Sequence, residues 1–458
     1  MLNALKVFAA RLRVLRSRIG ESVAEFAQLE AAGSMVLLAA TVLALIAANS
    51  VAATWWQDLW HIEIAARVGT AELAQSALHW VNDGLMVLFF FVVGLEIKRE
   101  IIVGELSTPR KAILPIIAAA GGMLVPAMIY ALMNRGTPTV GGWGIPMATD
   151  IAFALGVIAL LGDRVPASLK VFVAAFAIAD DIGAVLIIAL FYTAEVFPVW
   201  LAVGAALLLV LLLLNRIGVD SPVPYLAIAV IVWFCFLNSG IHTTVAGVLV
   251  ALTIPVKARM APMAFVGWAR AKVDEIETLH VPGAHVLESP DQQRCAWELQ
   301  AQARRIQAPL QRMEHVLHPV STFAVLPLFA LANAGVVLGS GGIGAHTSPV
   351  SLGVFLGLVL GKPLGIVLFT WLATRLRLAD LPEGATWRHI LGAGCLGGVG
   401  FTMSLFISAL AFGPGELQES AKLAILVSSV VAGVIGYVVL RGSGAQGATS
   451  AVTETEDM

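Results

Sequence analysis

Charged residues are scarce in this chain of 458 residues. Asp, Glu, Lys and Arg make up 13% of it, whereas hydrophobic residues make up 59%. A soluble domain of comparable size carries about 25% charged residues. The low charge therefore excludes an ordinary soluble protein, and no nucleic-acid partner is predicted.

Cysteine is also rare. Three are present: Cys235 and Cys395 lie in apolar runs, Cys295 lies in a polar stretch, and no CxxC pair occurs. An odd and scattered set argues against a disulfide framework and against a metal knuckle. No cofactor is predicted.

Long apolar runs, in contrast, are abundant. They recur in blocks of about 17–25 residues, the length that crosses the hydrocarbon core of a bilayer. We therefore predict an all-α polytopic membrane protein with about twelve transmembrane helices. The predicted spans cover approximately residues 34–50, 82–97, 112–133, 143–161, 171–192, 198–214, 223–237, 241–256, 317–338, 350–373, 388–411 and 421–440.

Basic residues assign the loops to two sides of the membrane. If the N-terminus is cytoplasmic, nearly all Lys and Arg between the spans fall inside, and only Arg67, Arg135 and Lys422 fall outside. The chain then has both termini in the cytoplasm.

The predicted domain organisation follows from these spans. Residues 1–33 form a basic amphipathic helix on the membrane surface, an ordinary soluble helix being the alternative. Residues 34–440 form the transmembrane domain, with a periplasmic segment at 51–80 and a cytoplasmic loop at 257–316, and residues 441–458 form a disordered cytoplasmic tail. A short strand is predicted near 59–64, and a helix starting after Ser289 is predicted to continue into the ninth span.

Four ionisable residues lie near the middle of three predicted spans: Asp150, Asp180, Asp181 and Lys362. Two carboxylates at the centre of a membrane helix cost about 5–7 kcal/mol on insertion scales, which indicates a function. A structural salt bridge between Lys362 and one aspartate is the alternative for Lys362, but three carboxylates exceed one ammonium. The excess negative charge requires protons or metal cations.

Glycine and proline interrupt two of the spans. Gly141, Gly142, Gly144 and Pro146 precede Asp150 in the fourth span, and five glycines lie between 392 and 400 in the eleventh. Such pairs of interrupted spans are typical of broken helices that meet at a midplane binding site, although close helix packing through small residues would give the same pattern.

Adjacent carboxylates suit an exchange of ions. Mutual repulsion makes Asp180 and Asp181 titrate as a coupled pair, and a hard cation such as Na⁺ prefers oxygen ligands. Deprotonation would prepare the site for the cation, and protonation would expel it. Exchange then needs only access from alternate sides.

The same residues carry a resemblance to a known family. Residues 148–157 and 180–184, together with 90–100, 314–319, 361–365 and 398–404, resemble the NhaA-type sodium/proton antiporters over about residues 30–440. The resemblance implies inverted repeats and two broken helices that cross at the midplane. It also implies electrogenic, pH-regulated exchange of cytoplasmic Na⁺ or Li⁺ for external H⁺ at the bacterial inner membrane, and a homodimer formed through a hairpin within 51–80.

The resemblance also assigns roles. Asp181 would be the principal ligand of Na⁺ or Li⁺, which binds transiently, and Asp180 would carry the proton and pair with Lys362. Thr149 and Asp150 would belong to the crossing of the broken helices. Residues matching positions of pH sensing and of the cytoplasmic entrance are Glu96, Glu100, Glu314, His315, His318 and His242. The alternative is an ordinary polar helix end, or, for His242, a satisfied polar residue on the periplasmic side.

Two other function classes remain as alternatives. An intramembrane aspartyl protease also needs two membrane aspartates, but its Gly-x-Gly-Asp sequence is missing around Asp150 and Asp180. A sodium-coupled symporter of an organic solute would share the cation site. The antiporter interpretation, a transporter and not an enzyme, accounts for all four central charges.

Overall fold

The fold is known from a computed structural model, which describes residues 31–68, 71–193, 195–279, 289–337 and 348–443. Most of these residues are helical. The helices are α1 Ala31–Ala48, α2 Ala53–His61, α3 Ala77–His79, α4 Met86–Ile102, α5 Pro109–Met133, α6 Ile151–Leu161, α7 Ala167–Phe191, α8 Pro198–Ile217, α9 Pro222–Leu237, α10 Thr243–Thr253, α11 Pro262–Thr278, α12 Pro290–Ile306, α13 Pro309–Val320, α14 Leu326–Asn333, α15 Pro349–Leu356, α16 Lys362–Arg375, α17 Trp387–Gly397, α18 Phe401–Phe412 and α19 Glu416–Arg441.

Irregular helical segments connect several of these helices. A 3₁₀ segment, Pro138–Met147, precedes α6, and π-helical segments occupy Trp80–Leu85, Ser321–Val325 and Gly357–Gly361. A π turn holds one residue more than an α turn and often occurs at functional sites. The third of these segments directly precedes Lys362.

Within the described ranges, eight helical stretches are long and apolar enough to cross a membrane, and a ninth arises if α17 and α18 count as one bent span. The prediction of a polytopic helical membrane protein is confirmed. The remaining three predicted spans coincide with α4, α9 and α10, which are shorter helices of 17, 16 and 11 residues. Twelve crossings and inverted repeats therefore stay a prediction.

The segment 51–80 departs from the all-α prediction. Strands β1 Glu63–Val68 and β2 Ala71–Ser76 pair antiparallel, with Glu63 opposite Ser76. The strand predicted near 59–64 was placed too early, because α2 continues to His61. The weak alternation over 59–64 thus overlapped the end of α2, and the paired strand begins only at Glu63.

The prediction of one continuous helix from 290 into the ninth span was wrong. Ser289 does cap α12, as its hydroxyl accepts a hydrogen bond from the amide of Gln292. However, α12 ends at Ile306, and α13 starts anew at Pro309. Proline lacks the amide that would continue the hydrogen-bond ladder, so the chain breaks there although the apolar spacing continues.

Two predicted terminal segments fall largely outside the described ranges. These are the amphipathic helix, of which residues 1–30 lie outside, and the tail, of which residues 444–458 lie outside. Residues 31–33, assigned to the amphipathic helix, belong to α1.

The chain divides into two units. The first comprises residues 1–89, 100–194 and 320–458, and the second comprises 90–99 and 195–319. An apolar cluster fills the first unit between α5, α6, α7, α16 and α17, with members such as Leu114, Phe172, Phe176 and Ile366. Gly121 and Gly365 allow α5 and α16 to approach closely, since a Cβ on either glycine would overlap the carbonyl of the other.

The second unit contains α8 to α13 up to Pro319 and the central part of α4. Lys98 donates hydrogen bonds to the carbonyls of Leu252, at 2.7 Å, and of Ile254 at the end of α10. A cation is favourable there because the last carbonyls of a helix carry partial negative charge. Arg312 donates a hydrogen bond of 2.6 Å to the carbonyl of Asp220, in the connection between α8 and α9.

Candidate functional site

The aspartate pair lies near the middle of α7, a helix of 25 residues that starts directly after Pro166. The exposed fractions of Asp180 and Asp181 are 0% and 2%. Buried carboxylates of this kind are held by cations or hydrogen bonds in proteins. The neighbours of α7 supply these groups.

Lys362 is the cation beside Asp180. Its Nζ donates a hydrogen bond to Oδ2 of Asp180 at 2.8 Å, and both side chains are fully buried. The ammonium also donates to the carbonyl of Met147, the last residue of the 3₁₀ segment. Lys362 therefore offsets the negative charge of a carboxylate and the partial negative charge of a helix C-terminus at the same time. Gly361 lets this part of the chain lie against Pro126 of α5.

Two chain breaks meet next to this pair. The first is extended backbone at Ala148 and Asp150, between the 3₁₀ segment and α6. The second separates α17 from α18, whose axes differ by 44°. The amide of Asp150 donates to the carbonyl of Val399 at 2.7 Å, and the Thr149 hydroxyl donates to the carbonyl of Gly397 at 2.9 Å. The two breaks thus satisfy each other's free backbone groups.

Asp150 caps two helices with one side chain. Its Oδ1 accepts a hydrogen bond from the amide of Phe153 in α6 at 3.1 Å. Its Oδ2 accepts from the amide and the hydroxyl of Thr402 in α18, at 3.1 and 2.5 Å. A carboxylate is favourable at a helix N-terminus, which carries about half a positive charge. Asp150 therefore balances two N-termini in the protein interior.

Charge counting shows what this arrangement can do. Three carboxylates face one ammonium, while the partial charges of two helix N-termini and of the two C-termini at Met147 and Gly397 roughly cancel. About two units of negative charge remain, which protons or monovalent cations can neutralise. The site is thus chemically able to exchange the two.

Comparison with known proteins decides the family. The sequence model of the family described as Na⁺/H⁺ antiporter 1 matches residues 24–440. The chain belongs to the Na⁺/H⁺ antiporter 1 family.

Several bacterial relatives bear the name Na⁺/H⁺ antiporter NhaA. The relative from Oleidesulfovibrio alaskensis is 48% identical over 91% of this chain and 92% of its own length. That from Koribacter versatilis is 49% identical over 91% and 90%. That from Helicobacter pylori strain J99 is 44% identical over 94% and 97%.

The residues predicted for pH sensing in this antiporter-family chain fall in both units. Glu100 is in the first unit, where its carboxylate accepts a hydrogen bond from the amide of Glu105 at 2.9 Å. The other five are in the second unit. There Nε2 of His318 lies 3.6 Å from Glu96, and Glu314 forms an ion pair of 3.0 Å with Arg99. His315 is exposed, and His242 precedes α10 as its N-cap residue.

Sequence reasoning missed several groups at the site. Thr402 was part of a family motif but received no role, although it is the second residue of α18 and directly binds Asp150. A threonine just after a glycine-rich interruption was the available signal. The carbonyls of Met147 and Gly397 could not have been found, because a backbone oxygen leaves no mark in a sequence.

Proposed function

We propose that this antiporter-family protein exchanges cytoplasmic Na⁺ or Li⁺ for external H⁺ by alternating access, with the cation and the proton competing for Asp180 and Asp181. The observation that carries the proposal is the buried Lys362–Asp180 pair at 2.8 Å, next in sequence to buried Asp181 and beside two mutually bonded helix breaks. The names of the relatives support Na⁺ and H⁺ as the exchanged ions.

Each residue has a role in this mechanism. Asp181 is the principal ligand of the cation, since its carboxylate offers the hard oxygen ligands that Na⁺ prefers. Asp180 carries the proton and shares it with Lys362. Thr149 and Asp150 hold the crossing of the breaks in shape. A cation at Asp181 disfavours protonation of the aspartate pair, and a proton on the pair disfavours binding of the cation, because the two positive charges repel.

The proposal includes charge movement and regulation. Two carboxylates can release up to two protons against one Na⁺, which makes the exchange electrogenic. The second-unit pair His318–Glu96 and its neighbours regulate it, since an imidazole changes charge near neutral pH.

The proposal also includes the setting of the protein. We place it in the bacterial inner membrane with twelve crossings and cytoplasmic termini, on the distribution of basic residues. Residues 1–33 form a surface helix, 34–440 the transporter with its loop 257–316, and 441–458 a tail. The β1–β2 hairpin joins two copies into a homodimer.

A vesicle assay tests the central claim. In everted vesicles acidified by respiration, addition of Na⁺ should restore an internal pH near that outside. Asp181→Asn should abolish this recovery, because an amide cannot supply the anionic ligand or the proton site. Asp274→Asn is the matched control, since Asp274 is exposed on α11, and it should recover as the unchanged protein does.

Two outcomes would contradict the proposal. Recovery in the Asp181→Asn vesicles at the rate of the unchanged protein would remove Asp181 from the mechanism. A potential-sensitive dye in the same vesicles reports charge movement, and exchange without any membrane potential would contradict the electrogenic stoichiometry.

A further inference from the structure

A fully buried hydroxyl on α16 has no hydrogen-bond partner in the part of the chain that the structure describes. Thr370 is 0% exposed, and its Oγ1 neither donates nor accepts a hydrogen bond among the residues that the structure describes. Threonines inside helices usually bond a carbonyl of the preceding turn, as Thr41 does with Leu37 at 2.8 Å. A buried hydroxyl without a partner costs about 1–3 kcal/mol, a cost that a water molecule bonded to Thr370 would remove.

The position of Thr370 connects it with the proposed transport site. Lys362, Ile366, Thr370 and Ala373 follow one another at intervals of four, four and three residues and are all at most 1% exposed. They therefore share one face of α16. Thr370 lies about two turns, or roughly 12 Å, from Lys362 toward the end of α16 that the basic residues place in the cytoplasm.

A cavity opens at that end of the first unit. It has a volume of about 390 Å³ and lies between α5, α7 and the segment 379–383. Five charged side chains line it: Glu105, Arg110, Lys111, Asp380 and Glu383. His389, at the start of α17, does not line the cavity, and its Nδ1 contacts the Thr386 hydroxyl at 2.9 Å.

One apolar layer separates the cavity from Lys362. Leu114 and Phe172 line the cavity and also belong to the buried cluster that contains Ile366 and Ala373. Phe172 stacks on Phe176 with ring centroids 6.3 Å apart.

The side chain of Lys362 lies on the other side of this apolar layer. A Cβ placed on Gly397 would contact both Phe176, at 3.1 Å, and Lys362, at 3.6 Å. The stacked side chains of Phe172 and Phe176 therefore lie between the cavity and Lys362, and Thr370 shares its face of α16 with Ile366 and Ala373 of the same cluster.

We propose, on the basis of the exchange function above, that Thr370 and this cavity form a proton path between Lys362–Asp180 and the cytoplasm, separate from the route of Na⁺. When Na⁺ binds, the proton leaves the pair, passes along water held by the Thr370 hydroxyl, and reaches solvent in the charged cavity. A hydroxyl suits this step because it donates and accepts at once. Na⁺ does not follow, because the apolar layer supplies no set of oxygen ligands.

The first experiment removes the hydroxyl. Thr370→Val keeps the shape, and Thr370→Ser keeps the hydroxyl. In proteoliposomes at saturating Na⁺, we expect Thr370→Val to lower turnover about ten-fold, as a barrier higher by the size of one hydrogen bond would, with the KM for Na⁺ unchanged. The ratio of turnover in H₂O to that in D₂O should rise, and Thr370→Ser should restore both quantities.

The control is Thr41→Val, which removes a buried hydroxyl whose bond lies within its own helix. Its turnover and isotope ratio should equal those of the unchanged protein. Equal turnover and isotope ratio in Thr370→Val would overturn the proton path while leaving the exchange function intact. Absence of exchange in the unchanged protein would contradict both.

The second experiment examines the cavity. Val171 lines it, so Val171→Cys should react with a charged methanethiosulfonate added to the outside of everted vesicles, and exchange should slow. The unchanged protein, whose Cys235, Cys295 and Cys395 are buried, serves as the reagent control. Full exchange after complete labelling of Cys at position 171 would exclude the cavity from the path.

Discussion

Single residues in this protein carry more than one electrostatic task. Lys362 bonds both Asp180 and the Met147 carbonyl, and Asp150 caps both α6 and α18. A buried ion pair contributes little net stability compared with a neutral pair of the same shape, yet loss of one partner leaves a costly buried charge. Stability and transport should therefore respond differently to changes at the same residue.

A double-mutant cycle at Lys362 and Asp180 separates the effect on stability from the effect on transport. We expect Lys362→Met to lower the free energy of unfolding by about 3–5 kcal/mol, since it leaves the Asp180 carboxylate without its ammonium. Adding Asp180→Asn should recover most of this loss, because no buried charge remains. Thermal unfolding of the detergent-solubilised variants measures both effects.

The cycle has a decisive outcome. Strict additivity of the two changes would show that the 2.8 Å contact has no energetic coupling. Transport should remain low in the double variant even where stability returns, since the proposed proton carrier is missing.

At the scale of elements, sequence patterns found most helices and missed the connections. Apolar length placed α5, α7 and α19, because a bilayer demands about the same length of each span. Glycine and proline located the breaks before Asp150 and around Gly398. The start of a new helix at Pro309 was missed because the apolar spacing continued across it.

The candidate site was predictable to a similar degree. Buried charges reveal themselves in apolar runs, so Asp150, Asp180, Asp181 and Lys362 were found. Which atoms they contact depends on how distant segments pack, and the π segment before Lys362 has no sequence signature that fixes its extra residue.

Ion pairs of Lys272 join α11 and α12, and their contribution to stability does not change with pH near neutrality. Lys272 lies 2.7 Å from Glu275 and 2.8 Å from Glu298. The hydrogen bonds that Lys272 donates to Glu275 and Glu298 raise its pKa, and the bond from Lys272 lowers the pKa of Glu275. The Lys272 contribution to stability is complete below its unfolded pKa and is lost as pH rises through the folded one. The Glu275 contribution is present above its unfolded pKa and is lost as pH falls through the folded one. The contribution of these ion pairs to stability is therefore constant between about pH 5 and pH 10.

A pair of variants tests whether the loop 257–316, which contains α11 and α12, sets the pH response of exchange. Glu298→Gln should leave the pH profile of exchange in place, whereas His318→Gln should shift it, because the His318–Glu96 pair exists only while the imidazole is protonated. Exchange rates from pH 6 to pH 9 in proteoliposomes provide the measurement. A shifted profile in Glu298→Gln would assign the pH response to the loop instead.

At the scale of the whole molecule, the β1–β2 hairpin is the proposed contact between two copies. A two-stranded sheet leaves unpaired amides and carbonyls along its outer edges, which can pair with another chain. The hairpin is also a separable insertion, because the amide of Ala77 bonds the carbonyl of Ile62 at 2.9 Å across its base. The chain can close over a deletion at this point.

Excision of residues 63–76 with a short glycine linker should therefore give a folded monomer. The expected result is a protein of half the assembly mass by light scattering, with unchanged helical content by circular dichroism. As a control, an equally long excision within the loop 257–316 should leave the mass per assembly unchanged. A dimer after removal of 63–76 would place the interface elsewhere.

The π-helical segment Gly357–Gly361 gives the chain one residue of slack directly before Lys362. Deleting one residue there would convert the wide turn into an ordinary one. The turn would absorb the loss, so Lys362 and the rest of α16 would keep their orientation toward Asp180 and the Met147 carbonyl. In a helix without such a turn, the same deletion would rotate everything that follows by about 100° and shift it by about 1.5 Å. The protein should therefore tolerate a missing residue in the segment that directly precedes its buried ammonium.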